Sequence, residues 1–253
     1  MYHMTNKYMY FVANWKMFGN LKSLNTLNKV IKFSKSKEIK KGRLIYCPPY
    51  TLINSFLKKF ENCLIDIGAQ NCHESHEYGP HTGFINSRML KNIGANYVII
   101  GHSENRKKGE NDKLINLKIK NAIKAKLKVI FCIGETLSEK NKGKTKLVLS
   151  KQIKLGLSKI KKKSNIFIAY EPVWSIGTGK IPSSQELTRT TFFIKKTLKN
   201  IFKSKSPPVL YGGSVDGNSV KLFKKIREID GFLVGGASKS SKKFIDIIRN
   251  YYR

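Results

Sequence analysis

Glu171 ends the apolar run Ile166–Tyr170 and stands directly before Pro172. Five apolar or aromatic residues are too few for a helix, and their β-branched and aromatic character predicts a short buried strand. Proline has no N–H for a sheet ladder and biases the preceding residue towards an extended backbone, so the strand must stop on the carboxylate. Val173, Trp174, Ser175 and Ile176 follow as a mostly apolar loop, and Gly177, Thr178 and Gly179 add backbone freedom and free N–H groups. A carboxylate at the carboxyl end of a buried strand, beside a loop able to fold over it, suits proton transfer in a site that excludes water. The plainer alternative is an ion pair with one of the many lysines.

Other short runs also end on polar residues: Asn14 and Lys16, then Gly101-His102-Ser103-Glu104, then Gly212-Gly213-Ser214, and finally Gly235-Gly236-Ala237-Ser238. The two Gly-rich turns offer backbone N–H groups to a phosphate, and two on consecutive strands say more than one would. Gly177-Thr178-Gly179-Lys180 superficially matches a nucleotide-binding loop. It fails because Trp174 stands where the first Gly is required, and Ile181 where Ser or Thr should follow the lysine. Cys72, His73, His76 and His81, with Glu74 and Glu77 among them, form a dense group of metal-ligand types, but their spacing matches no standard motif. The expectation is no metal and no cofactor.

The elements that must position these residues alternate. Candidate strands cover 8–13, 44–47, 64–67, 97–100, 129–133, 166–170, 209–211 and 232–234, and helical stretches are clearest at 21–34, 51–60, 112–126, 146–160, 185–202 and 242–252. Ser183 with Glu186 predicts a capping box. Such alternation specifies a parallel sheet with right-handed crossovers, and eight units suit a single closed (β/α) barrel spanning 1–253. An open doubly wound sheet would carry a Gly-rich turn after its first strand, where this chain has Asn14-Trp15-Lys16. In a barrel, all the polar strand ends named above converge on one rim.

The chain of 253 residues carries a formal charge of +33, from 49 basic and 16 acidic residues. That balance raises the alternative of a basic nucleic-acid or membrane-surface binder. The lysines, however, take helical positions opposite the apolar ones. Lys151, Lys154 and Lys162 oppose Leu149, Ile153, Leu157 and Ile160; Lys113, Lys120 and Lys124 oppose Ile115, Ile119 and Ala122; Lys196 and Lys199 oppose Thr191, Ile194 and Leu198. A solvated outer face with a compositional lysine bias is expected, with neither nucleic acid nor membrane as partner. Cys47, Cys63, Cys72 and Cys132 show no C-x-x-C spacing, and the early apolar run at 9–13 is too short for a signal peptide or membrane span. A reducing cytoplasm is the economical location.

The motifs N-W-K at 14–16, G-H-S-E at 101–104, A-Y-E-P-V-W-S-I-G-T-G-K at 169–180, Y-G-G-S-V at 211–215 and D-G-F-L-V-G-G-A-S at 230–238 lie in order across nearly the whole chain. In them the sequence resembles the triosephosphate isomerase family, whose reaction is itself a standard case of environment-tuned acid–base chemistry, so the roles below come with the resemblance. It implies that Glu171 moves a proton between adjacent carbons of dihydroxyacetone phosphate and glyceraldehyde 3-phosphate, a step of glycolysis and gluconeogenesis. His102 is implied as a neutral electrophile, Lys16 as electrostatic stabiliser, Asn14 as its orienting neighbour and Glu104 as a supporting acid. Backbone groups of Gly177, Ser214, Gly235 and Gly236 are implied to bind the phosphate once the loop from Pro172 to Lys180 closes as a lid, with Trp174 as its hinge. The remaining alternative among enzymes is another phosphate-binding barrel.

The resemblance also implies a homodimer, with Thr82 reaching towards the neighbouring subunit's site. Two departures fall there: Phe84 stands where the family usually has Glu, and Asn105 where it usually has Arg. Those charges commonly pair, so their joint loss is read as replacement of the pair as a unit.

Overall fold

All eight expected strands form in the computed structural model, which describes residues 7–39, 41–161 and 163–253. They are β1 (Met9–Asn14), β2 (Gly42–Cys47), β3 (Ile65–Ala69), β4 (Tyr97–Ile100), β5 (Lys128–Ile133), β6 (Ile166–Tyr170), β7 (Val209–Tyr211) and β8 (Gly231–Val234). Every neighbouring pair is parallel, and β1 pairs with β8 to close the barrel. The expected bounds shift in five strands for visible reasons. β1 gains Asn14, which pairs with Cys47, and omits the half-exposed Tyr8. β3 begins after Leu64, which is 73% exposed, and continues through Gly68 and Ala69 to pair with Tyr97 and Val98. β2, β5 and β8 begin one or two residues early, on the residue types (Gly42, Lys128, Gly231) that an apolar-run criterion discards.

Side chains alternate along each strand, and the barrel uses both sets. Val12, Ile45, Tyr97, Ile99, Ile130, Cys132, Phe167, Ala169, Leu210 and Leu233 pack together inside the barrel. Phe11, Ala13, Leu44, Tyr46, Val98, Phe131, Ile168 and Phe232 face the helical layer. Burial of both faces explains why the strands read as continuous apolar runs.

The helices form with local adjustments. The stretch 21–34 divides into a 3₁₀ turn, Leu21–Leu27, and an α-helix, Asn28–Ser34. The stretch 51–60 likewise begins as a 3₁₀ turn before Ile53–Lys59. Helices Asp112–Lys124, Thr145–Gly156, Ser184–Phe202 and Ser241–Tyr252 follow the expected runs, whereas Ser87–Asn92, Ser103–Lys107, Leu137–Asn141 and Ser219–Phe223 are too short to show periodicity. Ser183 caps Ser184–Phe202 by accepting the Glu186 N–H at 3.2 Å, but the capping box is only half made: the Glu186 carboxylate pairs with Lys140 at 2.8 Å. Lys113, Lys124, Lys151, Lys154, Lys196 and Lys199 are exposed and their opposed apolar partners buried, with Ile160 half-buried; Lys120, expected on the same solvated face, is half-buried, and Lys162 lies outside the described residues.

Candidate active site

Strand parity carries Glu171 to the barrel mouth. Phe167 and Ala169 point into the barrel, so the next residue of that parity, Glu171, does so at its carboxyl end, fixed by its N–H to the Ile133 carbonyl at 2.8 Å. Asn14 continues the inward set of β1 in the same way. Glu171 is 2% exposed, and two glycines clear its space. A Cβ on Gly212 would stand 2.7 Å from Glu171 Cγ, and one on Gly134 would overlap the Glu171 carbonyl.

Facing it, His102 follows Gly101, whose φ of +75° turns the chain out of β4. His102 caps Ser103–Lys107, and its Nδ1 accepts the Glu104 N–H at 3.2 Å. An accepting Nδ1 carries no proton, which assigns the neutral ring's hydrogen to Nε2. That Nε2 lies 3.3 Å from Glu171 Oε1, while Glu171 Oε2 is buried without a hydrogen-bond partner. Burial pushes the Glu171 carboxyl above its ordinary range. The nearby His102 ring, the Lys16 charge, the Ser103 N–H and the Cys132 thiol oppose that rise without cancelling it.

Lys16 adopts a left-handed backbone, φ +54°, which costs a non-glycine residue about 1–2 kcal/mol. Its N–H donates to Asn14 Oδ1 at 3.1 Å and its carbonyl accepts from Gln70 Nε2 at 2.8 Å. The ammonium reaches Glu104 Oε1 at 2.6 Å. Burial raises the Glu104 carboxyl, but the Lys16 hydrogen bond and the neighbouring charges outweigh it and leave the group below its usual range.

A cavity of about 270 Å³ joins these parts. Asn14, Lys16, His102 and Glu171 line it together with Gly212, Gly213, Ser214, Gly235, Gly236 and Leu233, and the lid contributes Ile176, Gly177 and Gly179. A small anion-bearing molecule with a carbonyl carbon at the Glu171 end would meet a base, an N–H donor and a cation together.

The family model for triosephosphate isomerase matches residues 9–251. The chain belongs to this family. It is 41% identical over 245 residues to the triosephosphate isomerase of Thermodesulfovibrio yellowstonii, covering 95% of this chain and 98% of that one. It is 39% identical over 244 residues to that of Dictyoglomus turgidum, at 94% and 97% coverage. The crystal structure of triosephosphate isomerase from Bartonella henselae superposes with a TM-score of 0.87 at 33% identity, covering 97% and 99% of the two chains.

Within this triosephosphate isomerase fold, the sequence-predicted residues divide. Asn14, Lys16, His102, Glu171, Gly177, Ser214, Gly235 and Gly236 share the cavity. Glu104 lies behind it, touching Lys16 and His102. Thr82 is exposed on the loop after β3 and contributes nothing to this chain's own cavity. The Ser214 N–H points at Ser175 Oγ, 3.3 Å away, and its hydroxyl donates to the Ser175 carbonyl at 2.6 Å, so the lid engages this turn directly.

Sequence reading missed Glu135, Cys132 and Gln70. Glu135, 1% exposed, accepts the Trp174 indole N–H at 2.9 Å and the Tyr170 hydroxyl at 3.2 Å. Its signal was present: Gly134-Glu135 directly follows β5, the position from which the other site residues emerge. Gln70 donates to the Lys16 and Cys47 carbonyls, both at 2.8 Å, from the end of β3.

Proposed function

We propose that Glu171 is the base and His102 the electrophile in the reaction of this family, interconversion of dihydroxyacetone phosphate and glyceraldehyde 3-phosphate. The observation that carries this is the buried 3.3 Å approach of Glu171 Oε1 to His102 Nε2 beneath the lid. When substrate enters, its carbonyl oxygen takes the Nε2–H, which frees the carboxylate. Glu171 then removes a proton from the carbon next to the carbonyl, and the electron pair moves to the oxygen as an enediolate. The hydroxyl proton on the first carbon must then pass to the former carbonyl oxygen, an exchange that the His102 Nε2–H is placed to mediate, and return of the carbon-bound proton from Glu171 to the former carbonyl carbon completes the isomerisation. Desolvation strengthens the base, since a carboxyl with a raised pKa binds the transferred proton more readily.

Lys16 stabilises the charge on the bound anion, Asn14 orients Lys16, and Glu104 restrains Lys16 while its N–H fixes the imidazole. Ser214, Gly235, Gly236 and Gly177 supply N–H groups to the phosphate after lid closure. Closure matters because an enediolate open to water can expel its phosphate. The functional unit in this reading is a homodimer of single-barrel subunits, with Thr82 directed at the partner's site. Four free cysteines suit a reducing cytoplasm.

The test is the rate of triose phosphate interconversion by parent and Glu171→Gln without added metal. Rapid turnover with a loss of several orders of magnitude in the variant supports the assignment. A variant retaining a tenth of the parent rate would remove Glu171 from the role of base.

A further inference from the structure

Gln152 does not line the cavity, yet it holds the segment to which the base is bonded. Strand β5 runs on past Ile133 beside the end of β6: the Ile133 carbonyl accepts the Glu171 N–H at 2.8 Å, and the Glu135 carbonyl accepts the Val173 N–H at 3.0 Å. Gly134 lies between those two acceptors. In a parallel sheet, alternate residues turn their N–H and C=O towards opposite neighbours, so Gly134 faces the β4 side. β4 has ended there, since its last residue, Ile100, pairs with Phe131. The half-buried Gly134 is thus left without a strand partner, and backbone groups turned from water need one.

Gln152 fills that place. Its Oε1 accepts the Gly134 N–H at 2.9 Å, and its Nε2 donates to the Gly134 carbonyl at 3.1 Å. One side-chain amide therefore does what a residue of a neighbouring strand would do. Close packing of its helix brings it within reach. Helix Thr145–Gly156 buries Leu149 and Ile153, and it lies so near β5 that a Cβ on Gly156 would overlap the Phe131 ring. Gln152 stands one turn before that contact. Gly134 is confined by Glu171 as well, whose carbonyl a Cβ at position 134 would overlap.

We propose that Gln152 is a positioning residue for Glu171. The Ile133 carbonyl and the Gly134 N–H belong to one planar peptide unit, which cannot turn at one end alone. Gln152 grips that unit by its N–H, and the unit holds Glu171 by its carbonyl. The second bond, to the Gly134 carbonyl, steadies the approach to Glu135, whose own carbonyl holds the lid residue Val173. The role in catalysis rests on the isomerase reading above.

The experiment uses two variants of the full chain. Gln152→Met keeps the side-chain length and removes the amide; Gln152→Asn keeps the amide and falls one methylene short. Each is compared with the parent in kcat and KM for glyceraldehyde 3-phosphate, and in residue-by-residue amide hydrogen exchange. Misplacing a reacting group by about 1 Å costs around a hundredfold in rate. A partly released Glu171 should therefore lower kcat by about tenfold or more in both variants, with KM close to the parent value. The Glu171 and Val173 amides should lose protection by about the same factor. The Ile168 amide, bonded to the Pro208 carbonyl at 2.9 Å on the far side of β6, should keep its protection. A brace that served only global stability would loosen all three amides together. Parent-like kcat in either variant, or equal loss of protection at all three amides, would overturn the proposal. A parent that did not interconvert triose phosphates would overturn the isomerase reading instead, and the exchange comparison, which uses no turnover, would still decide whether Gln152 holds Glu171.

Discussion

Trp174 donates its indole N–H to Glu135 across 2.9 Å, and this bond ties the lid to the end of β5. Lys140 lies 3.6 Å over the same ring, and Tyr170 shares the same carboxylate oxygen. Burial raises the Glu135 carboxyl, and its second oxygen has no partner. Glu135→Gln keeps an acceptor for both donors and removes a buried charge, so it should melt at or above the parent temperature. Glu135→Leu leaves two donors unpaired, each costing about 1–3 kcal/mol. Thermal melts should therefore show Glu135→Leu falling by at least several degrees; a melt equal to that of Glu135→Gln would count against the bond as a lid tie.

The raised Glu171 carboxyl sets a pH dependence of both rate and stability. Protonated Glu171 cannot act as base, so kcat/KM should fall with decreasing pH through a value above the ordinary carboxylate pKa. For stability the sign is opposite to that of an ion-paired acid. In the window between the ordinary and the raised pKa the folded chain binds more protons than the unfolded one, so stability declines as pH rises through it. Glu171→Gln escapes this penalty. It should melt above the parent at pH 7, with the difference closing once pH drops below the ordinary carboxylate value; paired melts across pH 3–8 check the sign.

How much of this was legible beforehand differs between strands, helices and contacts. Strand β6 and Glu171 were readable because Pro172 marks the stop and five apolar residues mark the strand. The barrel followed from alternation, and the shared rim from the barrel. Short helices such as Ser103–Lys107 were not readable, since five residues complete barely more than one turn and show no periodicity. Glu135 was missed because its partners, Tyr170 and Trp174, stand 35 and 39 residues away and only the fold brings them to it. The left-handed backbone of Lys16 was likewise hidden, as nothing local to a lysine announces a positive φ.

Gly212 offers a direct test of how tightly the base is positioned. A Cβ there would come within 2.7 Å of Glu171 Cγ, inside van der Waals contact, so the carboxylate must move. A displacement of about 1 Å at a reacting group can cost around a hundredfold in rate. Gly212→Ala should accordingly reduce kcat by ten- to a hundredfold while the protein stays folded by circular dichroism. Parent-like kcat would show that the site tolerates a shifted base.

Phe84 and Asn105 carry the last prediction. Phe84 is 62% exposed, its ring centre 4.9 Å from that of His73 and tilted against it, and His73 itself lies 4.4 Å from His81. An aromatic ring left this open on a single subunit gains about 1.5–3 kcal/mol if a second copy covers it fully. In the homodimer proposed above, restoring one charge of the pair that the resemblance implies, by Asn105→Arg, would place an unmatched guanidinium at that interface, where an uncompensated buried charge is costly. Dimer affinity measured by sedimentation should then weaken at least tenfold. Adding Phe84→Glu to the same chain supplies the missing partner and should recover part of the loss. If Asn105→Arg alone left the dimer unchanged, the two positions would not have been exchanged as a unit, and Phe84 would owe its place to its contact with His73 within its own subunit.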